Sequence, residues 1–292
     1  MTGTLYRYAA FTDTPVGGNP AGVWVGDALP GVAEMQRIAA EVGFSETAFV
    51  APRSGRSRTI RYYSPEAEVS FCGHATIAAG VVLGGRDGAG EYELHATIGL
   101  VSVEVSVREG RRIAALTSVT PRHEAAPDPL MARVLEALDW RHDEIDRGLL
   151  PVRAYAGAWH LVIAAATRAR LQRLTYRFDE LKEIMLSDGL TTIQLVWREN
   201  ATTWHARNPF PVGGVVEDPA TGAAAAAFGG YLRDAGMIEA PSEFTIRQGE
   251  DMGRPSVITV AVPANGGIIV SGAAVELSPA VRVPDSTFGP LT

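Results

Sequence analysis

Apolar and polar positions along this chain follow a mixed β and α order in which strand-like runs outnumber helical ones. Residues 5–11 and 21–25 have strand composition and flank the turn-rich Thr14-Pro15-Val16-Gly17-Gly18-Asn19-Pro20. Val32, Met35, Ile38, Ala39 and Val42 then keep a 3–4 spacing, with Pro30 ahead and Gly43 as a natural stop, which predicts a helix over 32–42. Residues 44–50 and 59–63 read as strands, and 97–107 and 113–119 alternate as strands do. A domain link is expected near Thr120-Pro121 and the Ala125-Ala126-Pro127-Asp128-Pro129 stretch. Beyond it the plan repeats: helix 130–138, strand 161–165, helix 168–187, then strands 192–197 and 203–207. Residues 246–283 are β-like again, with Gly249, Gly253, Gly266, Gly267 and Gly272 expected as turns.

Two segments break this texture. Ser70-Phe71-Cys72-Gly73-His74-Ala75-Thr76 and Glu217-Asp218-Pro219-Ala220-Thr221-Gly222-Ala223 each end a β-like run and open a small-residue helix on a glycine. Aligning Gly73 with Gly222 also superimposes Gly80 on Gly229 and Leu83 on Leu232, all at one offset of 149 residues. Two similar half-molecules are therefore expected. Helix N-termini carry unbonded N–H groups and the positive end of the helix dipole, so the two starts together could grip a small anion. Ala75-Thr76-Ile77-Ala78-Ala79-Gly80 and Ala223-Ala224-Ala225-Ala226-Ala227-Phe228-Gly229-Gly230 offer no face to water. A helix apolar all round is a buried one, here enclosed by sheet; the alternative is a plain amphipathic helix lying on a sheet.

Composition narrows the class. At 292 residues the chain has room for about two domains, and 46% hydrophobic with 20% charged residues places it among globular proteins. A net charge of −7 and a pI near 5.4 leave no electrostatic footprint for nucleic acid. The N-terminus opens like a strand, with no basic segment ahead of an apolar one, and no apolar run approaches the roughly 20 residues a bilayer requires. One cysteine, Cys72, rules out an intramolecular disulfide and fits a reducing cytoplasm. Lys182 is the only lysine and lies in the polar Asp179-Glu180-Leu181-Lys182-Glu183, a poor setting for the Schiff base of a pyridoxal-phosphate enzyme. The six histidines show no paired ligand spacing, so no metal site is expected.

Three side chains carry candidate chemistry. Glu46, between a glycine-stopped helix and an apolar strand, is either an exposed turn residue or a poorly solvated acid/base whose proton affinity is raised. His74 falls in the first turn of the first small-residue helix, where the dipole favours neutral imidazole; it is a hydrogen-bonding site residue or a core histidine. Asp218, just before the second helix, caps it, serves the site, or does both.

Five motifs in order carry a resemblance. Asn19-Pro20-Ala21-Gly22-Val23, Gly43-Phe44-Ser45-Glu46-Thr47-Ala48-Phe49, Cys72-Gly73-His74-Ala75-Thr76, Glu217-Asp218-Pro219-Ala220-Thr221-Gly222 and Gln248-Gly249-Glu250-Asp251-Met252-Gly253-Arg254-Pro255-Ser256 are similar to the phenazine-biosynthesis PhzF-like family. The resemblance implies an α+β, diaminopimelate-epimerase-like fold of two pseudo-symmetric domains, each a β-barrel-like sheet wrapped round a central helix. On this chain they would be residues 1–119, with a return of about 280–292, and residues 120–279. It also implies a cofactor-free isomerase working by proton transfer, commonly a homodimer, on a small carboxylate-bearing metabolite. Glu46, His74 and Asp218 would be catalytic; Gly73, Ala75, Thr221, Gly222, Ala223 and Asn19 would bind substrate in an interdomain cleft.

Two departures qualify this. Ala223 stands where the family often has serine, which points to a different substrate. Cys72 stands where related epimerases place one of two catalytic thiols, and with no second cysteine it reads as structural. The other readings are an epimerase or cyclase using the same site, or a catalytically silent anion-binding protein.

Overall fold

The structure, a computed structural model, describes residues 2–283. They form two compact units: residues 2–15, 20–116 and 273–283 in the first, residues 16–19 and 117–272 in the second.

In the first unit β1 (Gly3–Ala10) and β2 (Asn19–Gly26) precede α1 (Val32–Val42). A helix belongs here because β2 runs parallel to β3 (Glu46–Pro52), Ala21 opposite Glu46, and parallel neighbours need a crossover. α1 buries Met35, Ile38 and Ala39 against Leu5, Trp24, Phe49 and Tyr63. Each large side chain so buried stabilises the fold by roughly 1.5–3 kcal/mol. Gly43 then ends the helix in the left-handed region, at φ 69°. β4 (Ser57–Tyr63) lies antiparallel to β3 and pairs with the short β5 (Glu68–Val69). After α2 (Gly73–Asp87) comes β6 (Gly90–Ala96), parallel to β4, then β7 (Gly99–Arg108) and β8 (Arg111–Thr117), each antiparallel to its predecessor.

The second unit holds β9 (Arg122–Ala125), α3 (Asp128–Leu138), β10 (Val152–Tyr155), β11 (Trp159–Ala164), α4 (Arg168–Gln172) and α5 (Phe178–Ser187). β12 (Thr192–Arg198), β13 (Thr203–Pro209), β14 (Glu217–Asp218), α6 (Gly222–Asp234), β15 (Ser242–Gln248), β16 (Ser256–Val262) and β17 (Ile269–Val283) follow. Its pairings repeat those of the first unit. β11 and β12 are parallel, β12 and β13 antiparallel; β13 takes a two-residue antiparallel partner in β14 and a parallel one in β15; β16 and β17 add on antiparallel. α3 and α5 cover one side of this sheet, with Val134, Leu138, Leu181 and Ile184 packed on Leu161, Ile163, Ile193 and Leu195. Residues 274–283 of β17 return to pair with β1, and residues 284–292 of the expected return lie outside the described residues.

The fold is α+β, with a buried helix inside each curved sheet. α2 is buried from His74 to Gly84 and touches β1, β3 and β7; α6 is buried from Ala224 to Leu232 and touches β9, β10, β11 and β16. The aligned glycines are points of close approach, as is Gly84, whose Cβ would come within 2.5 Å of Val105 Cγ1. A Cβ on Gly80 would come within 2.9 Å of Val103 Cγ1, and one on Gly229 within 2.9 Å of Val260 Cγ1. Small residues are needed where a helix threads a sheet this tightly.

Three local expectations are corrected. The expected link contains a strand, β9, paired with β10. Gly272 lies inside β17 and makes no turn. Residues 168–187 are two helices: the Gln172 carbonyl accepts from Arg207 Nη1 (2.6 Å), the Arg177 N–H donates to the Ala137 carbonyl (2.9 Å), and Tyr176 donates to the Val216 carbonyl (2.5 Å). Tertiary bonds there take over the groups that a continuous helix would pair internally. Among the described residues no helix is long and apolar enough to cross a membrane.

Candidate active site

In the first unit, Glu46 opens β3 three residues after Gly43 ends α1, and Cys72 and His74 bracket the first residue of α2. Glu46 Oε2 lies 3.4 Å from His74 Nε2 and 3.6 Å from Cys72 Sγ. Ser45 Oγ is 3.4 Å from the same His74 nitrogen. His74 and Cys72 are buried, and the Glu46 side chain keeps 18% of its surface. The sulfur is 3.3 Å from Nδ1 and 3.8 Å from Nε2, so it packs over the ring and is in line with neither nitrogen. Glu46, Cys72 and His74 each bring one ligand-type atom into a group within 4.8 Å. Holding an ion with all three would require the imidazole to turn first, because a ring nitrogen coordinates in the ring plane.

A buried chain fixes the helix start. The Thr76 hydroxyl donates to the Cys72 carbonyl (2.6 Å), so Tyr62, 2.7 Å away, donates to Thr76. Burial pushes the Tyr62 phenol well above its ordinary value and keeps it a donor. The Cys72 side chain makes no capping bond to the helix, and a Cβ on Gly73 would meet nothing within 4 Å. The α2 start therefore presents backbone with open space beside Gly73. Ala75, the third residue of the helix, is buried.

In the second unit, Asp218 ends β14 and both its carboxylate oxygens receive side-chain donors. Asn19 Nδ2 donates to Oδ1 (2.8 Å) and the Thr221 hydroxyl to Oδ2 (2.6 Å). Asn19 is buried, and its amide also donates to the Ala220 carbonyl (3.1 Å). Thr221 is the N-cap residue of α6 but makes no side-chain capping bond; Gly222 and Ala223 open the helix, half-buried. Next to Asp218, Glu217 is held by a buried two-pronged pair with Arg207, at 2.9 Å from Nε and 2.5 Å from Nη2. That pair anchors the strand carrying Asp218.

The structure thus brings Glu46 and His74 together in the first unit, and Asn19, Asp218 and Thr221 together in the second. Sequence reasoning does not single out three contributors: Ser45, Cys72 as a neighbour of both Glu46 and His74, and Gln248, whose carboxamide bonds Thr221 and the Asp218 carbonyl. All three lie inside the motifs that carry the resemblance, and nothing in their spacing alone marks them as site residues.

The chain compares with known proteins over most of its length. It is 31% identical over 253 residues to a trans-2,3-dihydro-3-hydroxyanthranilate isomerase of Pseudomonas fluorescens, covering 85% of this chain and 86% of that one. It is 30% identical over 292 residues to an uncharacterized isomerase of Escherichia coli K12, covering 95% and 97%. In fold it matches a phenazine biosynthesis protein of the PhzF family from Bacillus anthracis, with a TM-score of 0.84, 23% identity and coverage of 97% and 99%. A hydroxyproline epimerase from Agrobacterium vitis shares the fold at a TM-score of 0.67 and 13% identity, covering 97% and 92%. The profile of the family described as phenazine biosynthesis-like protein matches residues 8–279. The chain belongs to that family and is an isomerase.

Proposed function

We propose that the protein moves a proton between carbons of a small carboxylate-bearing metabolite, without a cofactor, with Glu46 as the acid/base group. The reading rests above all on Glu46, whose side chain keeps contact with solvent while its Oε2 stands 3.4 Å from His74 Nε2 and 3.6 Å from Cys72 Sγ. A carboxylate so placed can take a proton from carbon; the C–H electron pair moves into the conjugated system, and the same carboxyl returns the proton at another carbon. His74 hydrogen-bonds the carboxylate and the reacting region. Asp218 holds a substrate amine or hydroxyl, and the N–H groups at the starts of α2 and α6 hold the substrate carboxylate. Ala223, lacking a hydroxyl, would shape which substrate fits. Epimerisation by two opposed thiols is excluded by count, since Cys72 is the only cysteine. We further propose that the enzyme is a cytoplasmic homodimer, for which sedimentation equilibrium is the check on assembly.

Trans-2,3-dihydro-3-hydroxyanthranilate and a panel of small unsaturated carboxylates, incubated with the enzyme in deuterated water, supply the test. Proton NMR should show deuterium entering at one carbon as the double-bond pattern shifts. Exchange absent across the panel, or unchanged in Glu46→Gln, defeats the assignment. A co-crystal of the exchanging compound should place its carboxylate within hydrogen-bond reach of these helix N–H groups; a carboxylate held elsewhere defeats that role.

A further inference from the structure

Gln248, the last residue of β15, is buried and has no place in the proton transfer just described. Its carboxamide makes three bonds at the start of α6. Oε1 accepts from the Thr221 N–H (3.2 Å), while Nε2 donates to the Asp218 carbonyl (2.7 Å) and to Thr221 Oγ1 (3.0 Å). The two backbone partners settle which end of the amide is which. Turned over, it would set an NH₂ against an N–H and an oxygen against a carbonyl.

That orientation has a consequence one bond further on. The Thr221 oxygen accepts from Gln248, so its single hydrogen is aimed at Asp218 Oδ2, 2.6 Å away. A threonine at an N-cap ordinarily turns its oxygen to the amides of the first turn. Here that bond is absent, and the hydroxyl is committed to the carboxylate. The next residue fixes the whole arrangement. Gly249 has φ +77°, and a Cβ there would stand 2.2 Å from the Arg254 carbonyl oxygen and 2.8 Å from that of Pro219. Only glycine lets the end of β15 come so close to the turn that follows Asp218.

We propose that Gln248 is a positioning residue: its carboxamide sets the direction of the Thr221 hydroxyl and thereby holds the Asp218 carboxylate in one orientation at the start of α6. Its bearing on catalysis rests on the reading of Asp218 given above. The positioning itself does not.

The test follows Asp218 directly, in the full chain labelled with ¹³C at the aspartate carboxyl carbons. Its resonance is identified by its loss in Asp218→Asn. Thr221→Val removes a bond to the ionised carboxylate and should raise the titration midpoint of Asp218 by about 1 on the pH scale. Gln248→Glu cannot donate and offers Thr221 a competing acceptor, so it should raise the midpoint too. In the Thr221→Val background the same change should raise it less, because only through-space repulsion remains. An equal rise in both backgrounds, or none in either, overturns the proposal. Should Gln248→Glu fail to fold, Gln248→Met keeps the volume without the charge. A midpoint unmoved in that variant overturns the proposal equally. With an exchanging substrate in hand, Gln248→Met should lower kcat at least tenfold while KM stays within twofold. Full exchange by Asp218→Asn would instead defeat the catalytic reading of Asp218 and leave the titration result standing.

Discussion

Glu46 Oε2 lies 3.4 Å from His74 Nε2, joining the first residue of β3 to the first turn of α2. Neither element could set this contact alone. The left-handed stop at Gly43 aims the chain into β3, and the Tyr62–Thr76–Cys72 chain of hydrogen bonds pins the helix that carries His74. A carboxylate and an imidazole held this way have little reorganisation left when a proton moves.

Glu46→Gln keeps the size and hydrogen bonding of the side chain and removes its basicity. Solvent deuterium exchange should fall by roughly 10²–10⁴, the contribution of a positioned acid/base group, while ligand binding by calorimetry persists. Near-normal exchange in a folded Gln variant would move the role to another residue.

Cys72→Ala removes the sulfur that packs over the His74 ring. Because Glu46 and His74 remain, exchange should stay within tenfold of wild type, with a stability loss of about 1 kcal/mol from the small cavity. A well-folded alanine variant with no exchange would restore a role for the thiol in the chemistry.

Arg207→Met leaves Glu217 buried without its cation. Breaking a buried pair from one side costs about 3–5 kcal/mol, which urea unfolding would report as a lower midpoint at unchanged slope. Arg207→Met paired with Glu217→Leu should recover part of that loss. If the single variant is as stable as wild type, the pair does not anchor β14.

His160 gives the protein an acid-sensitive term. Burial pushes its imidazole down to about 3 from an ordinary 6.5, so the folded state holds it neutral while the unfolded chain protonates it. Between those values the unfolded state binds more protons, so stability drops as pH falls from about 6.5 towards 3 and is unaffected by this group above that window. The Thr192 hydroxyl oxygen accepts from the Asn208 amide and lies 2.8 Å from His160 Nδ1. His160→Gln keeps a hydrogen-bonding partner for that hydroxyl, does not titrate, and should flatten the slope of unfolding free energy against pH within the window. A slope as steep as that of wild type would place the acid sensitivity elsewhere.

Much of the architecture was legible in the sequence because it rests on local chemistry. The 3–4 spacing from Val32 to Val42, closed by Gly43, predicts α1 at its observed bounds, since an amphipathic stripe and a left-handed stop need no distant partner. The 149-residue echo marks the starts of α2 and α6, and the aligned Gly80 and Gly229 prove to be among the places where each helix presses on its sheet. Glu46, His74 and Asp218 were readable as candidates because glycine-opened helix starts and chain order mark them. What the tertiary structure alone decided are relations between residues far apart in the chain. It placed Cys72 over the His74 ring, brought Asn19 and Gln248 onto the Asp218–Thr221 turn, and broke residues 168–187 where Arg207 claims the Gln172 carbonyl. Periodicity and capping report only what a segment does with its own neighbours; a side chain that satisfies a distant backbone group leaves no periodic trace, so those bonds appear only once the sheets have closed around their helices.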